Sequence, residues 1–147
     1  MVMKVREAGE RDFPELTELF REFAEFEKSP EKMVNSSARM IKEQDYFTCF
    51  LALDGDDRIT GYAACFFSYH TWSGKSLYMD DLYVKPEYRK QGIGKLLLEK
   101  VIDFAKKEDC SRVKWQVSNW NKNGQEFYRR MGAAIDHVQL NCEITLR

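Results

Sequence analysis

Apolar and polar residues alternate from Val2 to Arg6, a period of two that predicts a strand. Asp12-Phe13-Pro14-Glu15 opens a helix, with Asp12 as the expected N-cap and Pro14 in the tolerated first turn. Leu16, Leu19, Phe20, Phe23 and Phe26 recur at helical spacing until Ser29-Pro30 breaks the run. A weaker helix is expected from Ser37 to Lys42. Phe47 to Leu53 reads as a strand, Asp54-Gly55-Asp56-Asp57 as a turn, and Ile59 to Ser68 as a second strand. Leu77 to Val84 is a third, closed by Lys85-Pro86. Ile93, Leu97, Val101, Phe104 and Ala105 lay one stripe along a helix ending near Lys107. Val113 to Val117 is a further strand, and Gly124 to Met131 a short helix with Gly132 as its C′ residue. Ala134 to Ile144 is expected to supply one or two closing strands.

Three strands in succession imply an antiparallel meander, and the later strand-helix-strand order implies a parallel crossover. The predicted class is therefore α/β (α+β), a central mixed sheet with helices on both faces. A chain of 147 residues is expected to form one domain, 1–147. With 44% apolar and 32% charged residues, eight glycines and three prolines, the composition is that of a folded globular chain. Net charge is −1, with no basic stripe, which argues against a nucleic-acid binder. No apolar run approaches the ~20 residues that cross a bilayer, and the N-terminus builds no signal core, so a cytoplasmic location is expected. Cys49, Cys65, Cys110 and Cys142 stand singly and read as reduced core or near-core residues. With only His70 and His137 beside them, no metal-ligand spacing arises, and no metal is expected.

The most informative stretch is Arg89-Lys90-Gln91-Gly92-Ile93-Gly94-Lys95, between a strand and the strongest helix. Glycines there let backbone N–H groups converge on an anion, and a helix start adds its positive dipole end. Arg89, Lys90 and Lys95 add positive charge. A Walker A reading fails because Leu96 follows Gly94-Lys95 and Arg89 holds the first glycine's place. A dinucleotide fingerprint fails because Leu97 stands where a third glycine belongs. Taken alone, the loop serves equally as a phosphate cradle or as an ordinary glycine turn capping a helix.

Arg-x-x-Gly-x-Gly after Leu82-Tyr83-Val84 resembles the acyl-CoA signature of the GNAT N-acetyltransferase superfamily. Phe66-Phe67-Ser68-Tyr69 with Trp72, Gly74-Lys75, Tyr78-Met79-Asp80-Asp81, Tyr88-Arg89, Trp120-Asn121 and Phe127 to Ala133 resemble its spermidine/spermine acetyltransferase subfamily. Glu22 to Lys28 looks closest to the thialysine acetyltransferase branch, and the stretch from Asp136 onward matches least. The resemblance implies the GNAT acyl-CoA N-acyltransferase fold and an acetyl-CoA-dependent enzyme acting on a small cationic amine: a diamine, polyamine or lysine-like molecule. It implies that Lys90, Gln91, Gly92, Ile93, Gly94 and Lys95 hold the CoA pyrophosphate through main-chain amides. Leu82, Tyr83 and Val84 would pair with the pantetheine arm, and Asn121, Lys122, Asn123 and Gly124 would contact the far side of the cofactor.

Acetyl transfer needs a neutral nitrogen, and freeing one from an ammonium of pKa ~10.4 at pH 7 costs about 4.6 kcal/mol. The resemblance makes Asp80 the residue that drains this proton, through water, since family members more often carry Glu there. It makes Tyr128 the acid toward the leaving thiolate, although an aromatic pair such as Phe127-Tyr128 on a short helix is ordinarily core. Of Asp80-Asp81, strand alternation sends one carboxylate to the core side or a cleft. Phe26, Glu27, Trp72, Asp80 and Asp81 are the implied substrate contacts. For Glu27 a solvated helix-end charge is an equal reading, and Trp72 also suits a sheet cover. His70-Thr71-Trp72 lacks an acid that polyamine enzymes carry, which favours shorter or less charged amines than spermine. The resembled enzymes are homodimers, and the alternating Val138, Leu140, Cys142, Ile144 and Leu146 offer a face for a second copy or for burial within the chain. Two rivals remain. A peptide acetyltransferase needs an open groove, against which the aromatics Tyr69, Trp72 and Tyr78 count; a non-catalytic CoA sensor has no reason to keep Tyr128 and Asp80.

Overall fold

Two runs in the middle of the chain, β2 (Thr48–Leu53) and β3 (Ile59–His70), are apolar on both faces over most of their length, the composition of strands covered on both sides. They form the centre of a five-stranded sheet in a computed structural model that describes residues 3–147. With β1 (Lys4–Glu7), β4 (Gly74–Val84) and β5 (Val113–Lys114) the order is β1-β2-β3-β4-β5. The first four strands pair antiparallel and β5 joins β4 in parallel, so the sheet is mixed as expected. Val2, the start of the expected first strand, lies outside the described residues.

Helix α1 (Phe13–Phe26) places Phe13, Leu16 and Leu19 on one face of the sheet. There, with Met40 of α2 (Ser37–Lys42), they join Cys49, Leu51, Leu53, Tyr62, Ala64 and Tyr83 in a single core cluster. Helix α3 (Ile93–Lys107) covers the opposite face with Leu97, Leu98 and Val101, none of them exposed, while Phe104 packs its ring on Phe50 and Phe67. Burying such side chains stabilises by roughly 1.5–3 kcal/mol each, which fixes both helices on the sheet.

Asp12 flanks α1 but does not cap it with its side chain. A 3₁₀ turn, Glu10–Asp12, precedes the helix and already places Asp12 in a helical conformation. Its carboxylate turns back, accepting from Arg6 at 2.8 and 2.9 Å and from the Gly9 N–H at 2.8 Å. The hydrogen bond from Arg6, ahead of other causes, lowers the Asp12 pKa.

The chain divides into two compact units, the first running to Gln116 and the second spanning Val117–Arg147. The second contains α4 (Lys122–Arg130), which starts two residues earlier than expected because the Asn121 side chain accepts from the Gly124 N–H at 3.0 Å. Gly132 ends it at φ 93°, donating to Arg129 O while Ala133 donates to Tyr128 O, the paired bonds of a Schellman stop. Three sequence expectations are corrected. β5 is two residues long rather than five. The strands expected over 134–144 do not form; a strand needs a ladder partner, and Val138, Leu140, Ile144 and Leu146 instead stand 84 to 92% exposed. Cys142 is exposed rather than near-core, in contrast to buried Cys49 and Cys65.

Candidate active site

The register of the β3–β4 hairpin carries the site. Cys65 faces Met79, but Ala64 faces Asp81, so Asp80 is an extra residue in β4, a β-bulge. Phe66 packs on Tyr78 with ring centroids 5.1 Å apart, and the Tyr62 hydroxyl donates to Asp81 Oδ2 at 2.8 Å. Tyr62, Ala64 and Phe66 share the face under α1, so Tyr78 and Asp81, three residues apart, share it too. Only the bulge allows that. Of the two acids, Asp81 takes the core-side position that alternation required of one of them, whereas Asp80 remains exposed.

Burial first, then the charge of Asp80, push the Asp81 carboxyl up to about 7, with Glu27 adding to the rise and the Tyr62 hydrogen bond opposing it. Asp80 is raised by desolvation: it meets water on one side and is crowded by protein on the others. Asp80 and Glu27 thus both disfavour the charge of Asp81, and an arriving cation relieves that penalty.

Glu27 is set by the way α1 ends. Lys28 adopts a left-handed φ of 62° and donates to Glu25 O at 3.0 Å, while Ser29 donates to Ala24 O at 2.9 Å. This Schellman stop is built without glycine and holds Glu27 at the helix C-cap. Beside it, the Arg89 guanidinium lies 5.1 Å from the Phe26 ring centre and 5.6 Å from that of Tyr83, and Arg89 Nε donates to the Val84 carbonyl at 2.9 Å. Arg89, expected to add charge to the glycine loop, thus braces the end of β4 against the end of α1.

Parallel pairing of β4 with β5 stops at Tyr78–Lys114. Among the described residues of the first unit, β4 from residue 79 to 84 has β3 on one side and no strand on the other. Leu82 and Val84 are half-buried and Tyr83 is buried against α1. The segment then enters the glycine loop, where Lys90 (φ 64°) and Gly92 (φ 81°) both adopt left-handed backbone. Gly92 is the N-cap of α3, and no side chain caps its first turn, so the amides of Ile93, Gly94 and Lys95 lie at an uncapped helix start. Lys90, Gln91, Gly92 and Lys95 are exposed, while Ile93 is buried and anchors the helix.

In the second unit Tyr128 is half-buried, its ring centroid 5.3 Å from that of Phe127. Asn121 Oδ1 is engaged as the α4 cap, and Lys122 and Asn123 are exposed in the first turn. Gln125 is buried and donates to Ser118 O and Asn119 O, both at 3.1 Å, tying the preceding loop to the helix.

A family model described as "Acetyltransferase (GNAT) family" matches residues 13–133. The chain belongs to the GNAT acetyltransferase family. It is 36% identical over 140 residues to the thialysine N-epsilon-acetyltransferase of Bos taurus, covering 88% of this chain and 82% of that protein. It is 29% identical over 140 residues to the human spermidine/spermine N(1)-acetyltransferase-like protein 1, covering 88% of this chain and 20% of that one. Among solved structures, an aminoglycoside acetyltransferase from an uncultured soil metagenomic sample in complex with sisomicin superposes with a TM-score of 0.82 at 23% identity, covering 99% of this chain and 97% of that one. That likeness confirms the GNAT fold, and the chain is an acyltransferase.

Not every expected residue of this GNAT enzyme gathers at the bulge. Trp72 stands fully exposed at the tip of the β3–β4 hairpin, beyond the start of β4 at Gly74, which itself lies about 20 Å along the strand from Asp80. His70 pairs with Gly74 at the same tip, its Nε2 3.2 Å from Ser68 Oγ. Sequence reading passed over Tyr62 altogether. The only available signal was a tyrosine inside an otherwise fully buried run, where its hydroxyl requires a partner.

Proposed function

We propose that this acetyltransferase moves the acetyl group of acetyl-CoA onto the primary amine of a small diamine, polyamine or lysine-like molecule of the thialysine type, by direct attack in a ternary complex. The observation that carries the reading is the acidic group Asp80, Asp81 and Glu27 at the bulge of β4, next to an unpaired strand edge. An acid whose charge is disfavoured by two neighbouring acids, as Asp81 is, suits a substrate bringing positive charge beyond the reacting amine. Each charge-assisted contact contributes about 1.5–3 kcal/mol.

For the donor, two features fit acetyl-CoA. The 79–84 edge of β4 offers main-chain partners to the pantetheine amides at Leu82 and at the Val84 N–H, the Val84 carbonyl already serving Arg89 and the Tyr83 main chain facing β3. The uncapped start of α3, with Lys90–Lys95 before and within it, suits a pyrophosphate. Within this reading Asp80 takes the amine proton through water, nitrogen bonds to the acetyl carbon, and the carbon–sulfur bond breaks. Tyr128 supplies the proton to sulfur, and the second proton that the nitrogen sheds as the amide forms restores the phenol. Asn121 to Gly124 complete the cofactor contacts, and the exposed apolar side chains between Val138 and Leu146 form the homodimer contact.

The reading is tested by thiol release from acetyl-CoA across thialysine, lysine, putrescine, spermidine, spermine, a neutral-tailed monoamine and a lysine peptide, at fixed ionic strength. A thialysine-type or short dicationic amine is expected to have the highest kcat/KM. Equal use of the monoamine would remove the charge-reading role of the acids. Acetylation of the peptide alone would make the chain a peptide acetyltransferase, and CoA binding without turnover of anything would make it a sensor.

A further inference from the structure

Tyr62 is fully buried at the centre of the sheet, directly opposite Tyr83 and diagonal to Asp81. Phe20 packs on its ring at 5.1 Å and Tyr83 at 6.2 Å, so the ring has no room to swing. Its hydroxyl therefore points at one place, and at that place it donates to Asp81 Oδ2 at 2.8 Å. Burial, above all, pushes the phenol well above its ordinary pKa, so Tyr62 is a donor throughout the working range.

We propose that Tyr62 is a positioning residue for amine recognition: it fixes one oxygen of Asp81 so that the carboxylate presents the other, Oδ1, to a cationic group on the face it shares with Tyr78. The inference rests on the reading above, in which Asp81 contacts the amine, and it goes further by assigning what orients Asp81. A buried carboxylate lacking this donor would rotate or hold its proton more tightly, and either change weakens its grip on an ammonium. The groups facing Asp81 are Tyr62 from β3, Cys49 from β2, Asp80 from β4 itself and Glu27 at the end of α1. Burial keeps the Cys49 thiol neutral, so the two acids and the phenol set the charge of Asp81.

The sign of the effect follows. The Tyr62 hydrogen bond lowers the Asp81 pKa against burial and like charge, which together hold it near 7. Tyr62→Phe keeps the ring and removes the donor, so Asp81 ionises at higher pH. In a folded Tyr62→Phe protein, KM for the best dicationic amine should rise about tenfold, with kcat at saturating amine changed much less and CoA affinity by calorimetry unchanged. The acid limb of the kcat/KM profile should move to higher pH. A residue with a merely structural role would lower the melting temperature without moving that limb. In an Asp81→Asn background, Tyr62→Phe should add no further loss, because its route is gone. Carbon-13 NMR of the aspartate carboxyls, with Asp81 assigned through Asp81→Asn, should show the same upward pKa displacement without any turnover.

Wild-type KM and an unmoved acid limb in Tyr62→Phe, or fully additive losses in the double variant, would overturn the proposal while leaving the amine acetyltransferase reading intact. A wild-type protein that acetylates no amine would instead overturn that reading, and this assignment with it.

Discussion

Tyr128→Phe removes one hydroxyl and leaves the ring against Phe127, so α4 should fold unchanged. If the phenol protonates sulfur, kcat falls about 10²–10⁴-fold with CoA affinity nearly intact, because the group acts in the transition state. Steady-state kinetics beside calorimetry separate the two, and wild-type turnover would return Tyr128 to packing. Asp81 gives a prediction about stability. Its folded pKa of about 7 exceeds the ordinary 3.8, so between those values the folded chain keeps a proton that the unfolded chain has lost. Stability therefore falls as pH rises through that window, and below it no cost exists. Asp81→Asn keeps an oxygen for Tyr62 to donate to and removes the charge. It should be more stable than wild type at pH 8, by up to about 4 kcal/mol, with the gap closing toward pH 4. Thermal melts at the two pH values read this out, and a gap that does not depend on pH would show that the carboxyl is not held up.

At the scale of elements, the end of α1 and the bulge of β4 place the charged groups. Lys28 occupies a left-handed conformation that costs a residue with a Cβ roughly 1 kcal/mol relative to glycine. Lys28→Gly is therefore expected to stabilise the chain by about 0.5–1 kcal/mol in urea titration, less the greater freedom glycine has in the unfolded state. A loss of stability would mean that the lysine side chain contributes more than its backbone costs. The bulge acts on register. Extended without interruption, the outer half of the hairpin, with Cys65 opposite Met79, would set Leu82 opposite Tyr62 and Asp80 on its diagonal. The extra residue sets Tyr83 opposite and Asp81 on the diagonal, so one inserted residue decides which acid sits half-buried on the core side and which meets water.

For the whole molecule, the stretch from Val138 to Leu146 leaves four large apolar side chains 84 to 92% exposed. Large apolar side chains so exposed in one stretch call for a partner, and a second copy is the occupant in our reading. Light scattering at micromolar concentration should give twice the 17.4 kDa chain mass. Replacing Leu140 and Ile144 together by Asp should return the mass to one chain. A wild-type mass near 17.4 kDa would remove the dimer.

The hydrophobic pattern by itself determined the antiparallel meander, the parallel crossover and the helices on both faces. Period-two and period-3.6 burial are local, and Phe13–Phe26, Ser37–Lys42 and Ile93–Lys107 follow from it almost residue for residue. The glycine loop and the Asp80-Asp81 pair were also legible, because glycine and charge inside apolar surroundings stand out in one dimension. The pattern failed over 134–144, where alternation predicts strands but cannot supply the ladder partner that makes them. It placed the end of α1 but not the manner of its stop, since Lys28 gives no sign of a left-handed backbone. Tertiary structure alone decided that Tyr62 meets Asp81, that Arg89 braces Phe26 and Tyr83, and that Trp72 stands apart at the hairpin tip. Each depends on pairing register, and a one-residue slip in register leaves the periodicity of each strand intact while moving every cross-strand neighbour.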